Sequence, residues 1–163
     1  MSEGPNVLIE LWPVTAHQGK IWAMTQGAPL LSPPLTRKQS PDEMVSSLLE
    51  AERLRGETLL WHSTSWRHDP FRSAVLLTYV AAMQFPANRI AWDEVRPPDG
   101  LITPSNATAA VVHSPEEVLW HALRHVSFLV HNDAVVNSTL GATWSDAVDR
   151  LPFTLAGQLK TCS

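Results

Sequence analysis

Apolar and polar positions alternate most sharply between Ser114 and His131. At about 100° per residue, Val118, Leu119, Ala122, Leu123, Val126, Leu129 and Val130 share one arc of roughly 140°, the core face of a helix. Ser114 is a cap, Pro115 suits the first helical position, and Glu117 sits three residues after the cap to return a hydrogen bond. The run Ser40-Pro41-Asp42-Glu43 repeats this start signal and predicts an earlier helix. Met44, Val45, Leu48 and Leu49 form its stripe, Arg53 and Arg55 favour its C-terminal end, and Gly56 is placed to stop it.

Elsewhere the period shortens to two. Asn6 to Trp12 predicts a strand ending before Pro13, and Lys20 to Met24 predicts its hairpin partner beyond Gly19. Glu57 to Trp66 and Ser73 to Met83 predict a central hairpin. In its second strand Val75, Leu77, Tyr79 and Ala81 face one way and Ala74, Leu76, Val80 and Ala82 the other, so both faces are apolar and both are covered. In its first, Leu60, His62, Thr64 and Trp66 alternate against Leu59, Trp61, Ser63 and Ser65, which marks a half-buried strand. A short strand over Ala107 to Val112 leads into the long helix. Beyond that helix, Asn132 and Asp133 offer caps for a short helix ending at Gly141, and Thr143 caps another running to about Arg150.

Segments 27–40 and 85–106 read as long proline-rich loops, and 153–163 as a loosely held tail. Leu30, Leu31 and Leu35 are poorly served by water, so the first loop is expected to wrap against the domain. Together these elements predict one globular domain over 1–163. Its class is α+β: an antiparallel sheet of about four or five strands, one inserted helix, and two or three C-terminal helices packed on it.

Composition narrows the functional classes. A chain of 163 residues buries roughly 70% of the surface its unfolded form exposes, so no staple is required. Cys162 is the single cysteine, which rules out an internal disulfide and a cysteine-based zinc finger. No basic segment precedes an apolar run at the N-terminus, and no apolar run reaches the ~18 residues of a membrane span, so a cytoplasmic protein without a membrane partner is expected. The net charge is −4 and the cations are scattered, the reverse of a nucleic-acid surface. Arginine outnumbers lysine nine to three, the imprint of a GC-rich, bacterial genome. Seven tryptophans supply unusual amphipathic contact area.

Three groups of residues carry candidate chemistry. Beside the core arc of the long helix, Glu117, His121 and His125 form a stripe, and imidazoles four residues apart can ligate one divalent metal such as zinc or manganese. HExxH is not matched, and a third ligand has to come from His62, His68, Asp69, His113 or His131. The same spacing also suits solvated histidines and a helix-stabilising Glu117 to His121 pair. The second group, Trp61 to Asp69, holds Ser63 and Ser65 with His62, His68 and Asp69. Neighbours on a strand point to opposite faces, however, and no GxSxG elbow is present, so structural hydroxyls are favoured over a nucleophile. The third is the loop cluster Arg67, His68 and Arg72, suited to an anion or a partner's carboxylate. Trp120 falls off the core arc next to Arg124, which predicts an exposed docking residue; Trp61, Trp66, Trp92 and Trp144 are further candidates for a pocket or interface.

Phosphate-loop, dinucleotide, CxxC and EF-hand patterns are absent. The expectation is therefore a binding or accessory module without a cofactor. Its tryptophan-bearing surface, with Arg124, Arg67, His68 and Arg72, meets a protein partner, a small ligand or a second copy of the chain. The alternative is a metal-dependent hydrolase centred on His121, His125 and Glu117.

Overall fold

The computed structural model describes residues 4–24, 28–85, 92–98 and 114–152. Among these residues, six strands and three helices are arranged as a sheet with helices on both faces. The strands are β1 (Asn6–His17), β2 (Lys20–Ala23), β3 (Leu30–Leu31), β4 (Thr58–Asp69), β5 (Ala74–Met83) and β6 (Asp93–Glu94); the helices are α1 (Pro41–Ala51), α2 (Pro115–Asn132) and α3 (Ala134–Asp149). The sheet order is β4-β5-β1-β2-β6, with β3 also on β1. It is mostly antiparallel, and the central β1–β5 pair runs parallel. The class is α+β, as the pattern predicts.

β1 does not end at Pro13 but continues to His17. Proline is disfavoured inside a sheet because it lacks a ladder donor. Pro13 sits where the outer neighbour of β1 changes, between the β3 partners Glu10 and Leu11 and the β2 partners Val14 to His17. Its carbonyl there accepts from the Met24 amide at 3.2 Å. Pro13 has no N–H to return to Met24, so this last pair of the β1–β2 ladder keeps one of its two bonds, a loss confined to the end of the ladder.

Both serine caps form. Ser40 Oγ accepts from the Glu43 amide while Glu43 Oε2 accepts from the Ser40 amide, a complete capping box. Ser114 Oγ accepts from the Glu117 amide at 3.3 Å. α1 stops at Ala51, short of the predicted Gly56: Arg53 takes the left-handed conformation that closes the helix, and Gly56 lies in a separate 3-10 turn, Arg55–Glu57. Asp133 Oδ1 caps α3 by accepting from Val135 and Val136. The predicted break at Gly141 is present as a kink inside α3, with φ 78° and ψ −177°.

Odd positions of β1 and β5, including Ile9, Leu11, Tyr79 and Ala81, pack with Met44, Val45 and Leu49 of α1. Even positions, Trp12, Val14, Val80 and Ala82, pack with Leu119, Leu123 and Val126 of α2 and Leu140 and Trp144 of α3. The double coverage of β5 is the one its two apolar faces predict. Leu30 and Leu35 pack on the α1 side, whereas Leu31 is exposed, because neighbours on a strand point to opposite faces. The predicted strand at 107–112, most of the 85–106 loop and the 153–163 tail lie outside the described residues.

Candidate functional site

The alternation in β4 breaks twice, between Thr58 and Leu60 and between Ser63 and Ser65, and the second break decides which side chains meet. Ser63 opposes Tyr79 and Ser65 opposes Thr78, so Thr64 is an extra, bulged residue. Every side chain after it changes face. Trp66 opposes Leu77, on the α1 side of the sheet; Arg67 opposes Leu76, on the α2 side with Glu10. The predicted grouping of Trp66 with Leu60 and His62 is thereby corrected.

Arg67 reaches across β5 to Glu10, donating at 2.6 Å to Oε2 and 2.7 Å to Oε1. Thr78 Oγ1, in register with Glu10, donates to the same carboxylate at 2.8 Å and accepts from Arg67 at 3.1 Å. Glu10 is buried, so its charge is held by a bidentate partner and a hydroxyl. The hydrogen bonds to Glu10 raise the Arg67 pKa further. At the hairpin tip, Asp69 Oδ1 accepts from the Phe71 and Arg72 amides, and Oδ2 accepts from the Arg72 guanidinium at 2.6 Å. The Arg72 side chain, followed by the two amides, holds the Asp69 carboxyl below its usual range. Both arginines of the predicted anion site are therefore neutralised within the fold. His68 is exposed beside them.

The tip is instead aromatic. Trp66, in the last turnward stretch of β4, is 72% exposed, and Phe71, in the turn fixed by Asp69, is 83% exposed. Exposed large rings are the composition of a contact surface. β4 is also an outer strand: β5 pairs with one of its sides, and no strand among the described residues pairs with the other.

Trp120 is not on this surface. It is 4% exposed, and Val118, Leu119 and Trp120 are buried in succession. Three consecutive buried residues span about 200° of a helix, so α2 is covered well beyond its predicted arc. Arg124, one turn later, is half-buried. Of the other rings, Trp144 is buried with its Nε1 donating to the Met83 carbonyl, and Trp61 donates to Asp42 Oδ1 while the Arg55 guanidinium lies 4.7 Å from its ring. Trp92 is half-buried against the α1-side core.

The histidine stripe is divided. His125 meets His62 of β4, with Nε2 atoms 3.2 Å apart, while His121 is exposed and Glu117 half-buried. Burial, then the neighbouring His125, lowers the His62 pKa, against a weaker opposing effect of Asp133. His131 bridges to α3 instead, its Nε2 2.6 Å from Asp149 Oδ1 and its Nδ1 2.6 Å from the Ser127 carbonyl. Among the described residues no three His, Cys, Asp or Glu side chains cluster as a metal site; His113 lies outside them. His62 and Ser63 occupy opposite faces, and Asp69 is engaged by Arg72, so this segment assembles no nucleophile, base and orienter.

The residues that sequence reasoning missed are Phe71 and Glu10. Phe71 is an apolar residue in a polar turn, a signal that was legible; Glu10 gave none, because its partner lies 57 positions away.

No protein-family model matches the chain, and no curated protein does. Among solved structures it is similar to a MutT/nudix family protein from Enterococcus faecalis, at 15% identity and a TM-score of 0.46 over 86% of this chain and 70% of that one. At that distance nothing of that protein's chemistry passes to this chain.

Proposed function

We propose that the protein is a binding module whose contact element is the tip of the β4–β5 hairpin, and that its partner is another protein. One observation carries the reading: Trp66 near the end of β4 and Phe71 in the turn that follows are both exposed, and Arg67 and Arg72 of the same hairpin are already paired internally. Aromatic anchors without a free cation beside them favour an apolar protein surface over a charged ligand. The edge of β4 from Ser65 to Asp69, regular after the bulge and unpaired among the described residues, offers main-chain groups to an extended segment of the partner.

A random peptide library panned against the wild type tests this. Recovered peptides are expected to lose binding to a Trp66→Ser/Phe71→Ser double variant that melts like the wild type. Peptides that bind both proteins equally contradict the proposal.

A further inference from the structure

We infer that a second site, independent of the hairpin tip, takes a small uncharged planar molecule carrying amide-like hydrogen-bonding groups. It is a cavity of about 360 Å³ between the ends of β1 and β5 and the kinked middle of α3. That volume lies within the range of about 300–1,000 Å³ usual for small-molecule pockets.

The floor is apolar and its polar atoms are already satisfied. Trp144 is buried, and its Nε1 donates to the Met83 carbonyl at 3.2 Å; Thr15 Oγ1 donates to the same carbonyl at 3.0 Å. One wall is a flat aromatic slab. The His17 ring lies on Phe85 with centroids 3.9 Å apart and planes 10° apart, and the His17 backbone is held by its carbonyl accepting from Trp22 Nε1. The mouth carries neutral groups: the Gln84 amide and the Thr139 and Thr143 hydroxyls. None of these three side chains makes a hydrogen bond to a described residue, so all retain their capacity for a ligand. The kink at Gly141 lies between the two threonines, where α3 turns Leu140 and Trp144 into the core.

Charge decides the class of molecule. Among the described residues that line the cavity there is no Asp, Glu, Lys or Arg. An ionised ligand loses hydration on entering and meets no carboxylate, ammonium or guanidinium, His17 being the one lining side chain able to carry a charge, which disfavours it. A planar ring with carbonyl and N–H groups stacks against the slab and pairs with Gln84, Thr139 and Thr143.

Nicotinamide and nicotinate share one ring and differ in an amide against a carboxylate, so they serve as probes. They head a panel of uncharged planar amides and their carboxylate counterparts, titrated into isotope-labelled full-length protein and followed by NMR. Uncharged members are expected to bind and to shift the amide resonances of His17, Gln84, Thr139 and Thr143, with the carboxylates at least tenfold weaker. Thr143→Val, at an exposed position, is expected to weaken binding about fivefold, the value of one neutral hydrogen bond, without changing the melting temperature. His17→Ala, which removes the slab, should weaken it at least as much. The inference is overturned if no uncharged member shifts these four resonances, if the carboxylates bind as tightly, or if both variants bind as the wild type does.

Discussion

His62 Nε2 on β4 lies 3.2 Å from His125 Nε2 on α2, and the two rings are within 11° of parallel. The contact ties the outer strand of the sheet to the long helix. One neutral ring donates its Nε2–H to the bare Nε2 of the other, so a pair in which both rings are protonated has lost its hydrogen bond and gained a repulsion.

Stability is therefore expected to fall on the acid side. The folded pKa of His62 is depressed below 6.5, so between those two values the unfolded chain binds more protons, and stability drops as pH falls below about 6.5. His131 has the opposite sign. The hydrogen bond to the Ser127 carbonyl and the pairing with Asp149 raise its pKa above 6.5; its contribution is complete below 6.5 and is lost as pH rises through the raised value. Thermal melts from pH 5 to 8 should show His62→Leu flattening the acid limb and Asp149→Asn flattening only the alkaline limb. An acid limb left unchanged by His62→Leu refutes this assignment.

Arg67 and Glu10 should behave as a unit. Arg67→Leu leaves a buried carboxylate without its partner and is expected to cost about 3 kcal/mol, whereas Arg67→Leu with Glu10→Leu should recover most of that loss. Urea denaturation of both singles and the double gives the coupling directly, and additive losses contradict it.

Gly141 holds backbone angles that are almost glycine-only. A Cβ there meets nothing within 4 Å, so Gly141→Ala introduces no clash. The expected cost is then a backbone one of about 1–3 kcal/mol, read as a lowered melting temperature. An unchanged melting temperature means that α3 can straighten at no cost.

Trp66→Ser and Phe71→Ser remove rings that the core does not use. Each is expected to change stability by less than about 0.5 kcal/mol, which calorimetry can check. A larger loss shows that the rings pack against the fold and are not presented to a partner.

Much of the architecture was written locally, which is why it could be read. Caps such as Ser40 and Ser114 act over three residues, the apolar arc of α2 over one helix, and the two-sided apolarity of β5 over ten residues. What escaped depends on partners distant in sequence. Pro13 is tolerated because β2 and β3 meet β1 on either side of it. The Thr64 bulge reverses Trp66 and Arg67, and no local signal marks it. Trp120 is buried because α2 is covered on more than one side, whereas its periodicity shows only where the richest apolar arc lies. The histidine spacing in α2 was real, but His125 found its neighbour on β4 instead of one turn away.

Amide hydrogen exchange of the wild type, free and bound to a peptide recovered by panning, tests the hairpin tip most directly. Slowed exchange is expected along Ser65 to Asp69 and through the turn at Phe71 and Arg72, with α2 unaffected. Protection confined to α2 or to the His17–Phe85 cavity, with the tip exchanging as in the free protein, contradicts it.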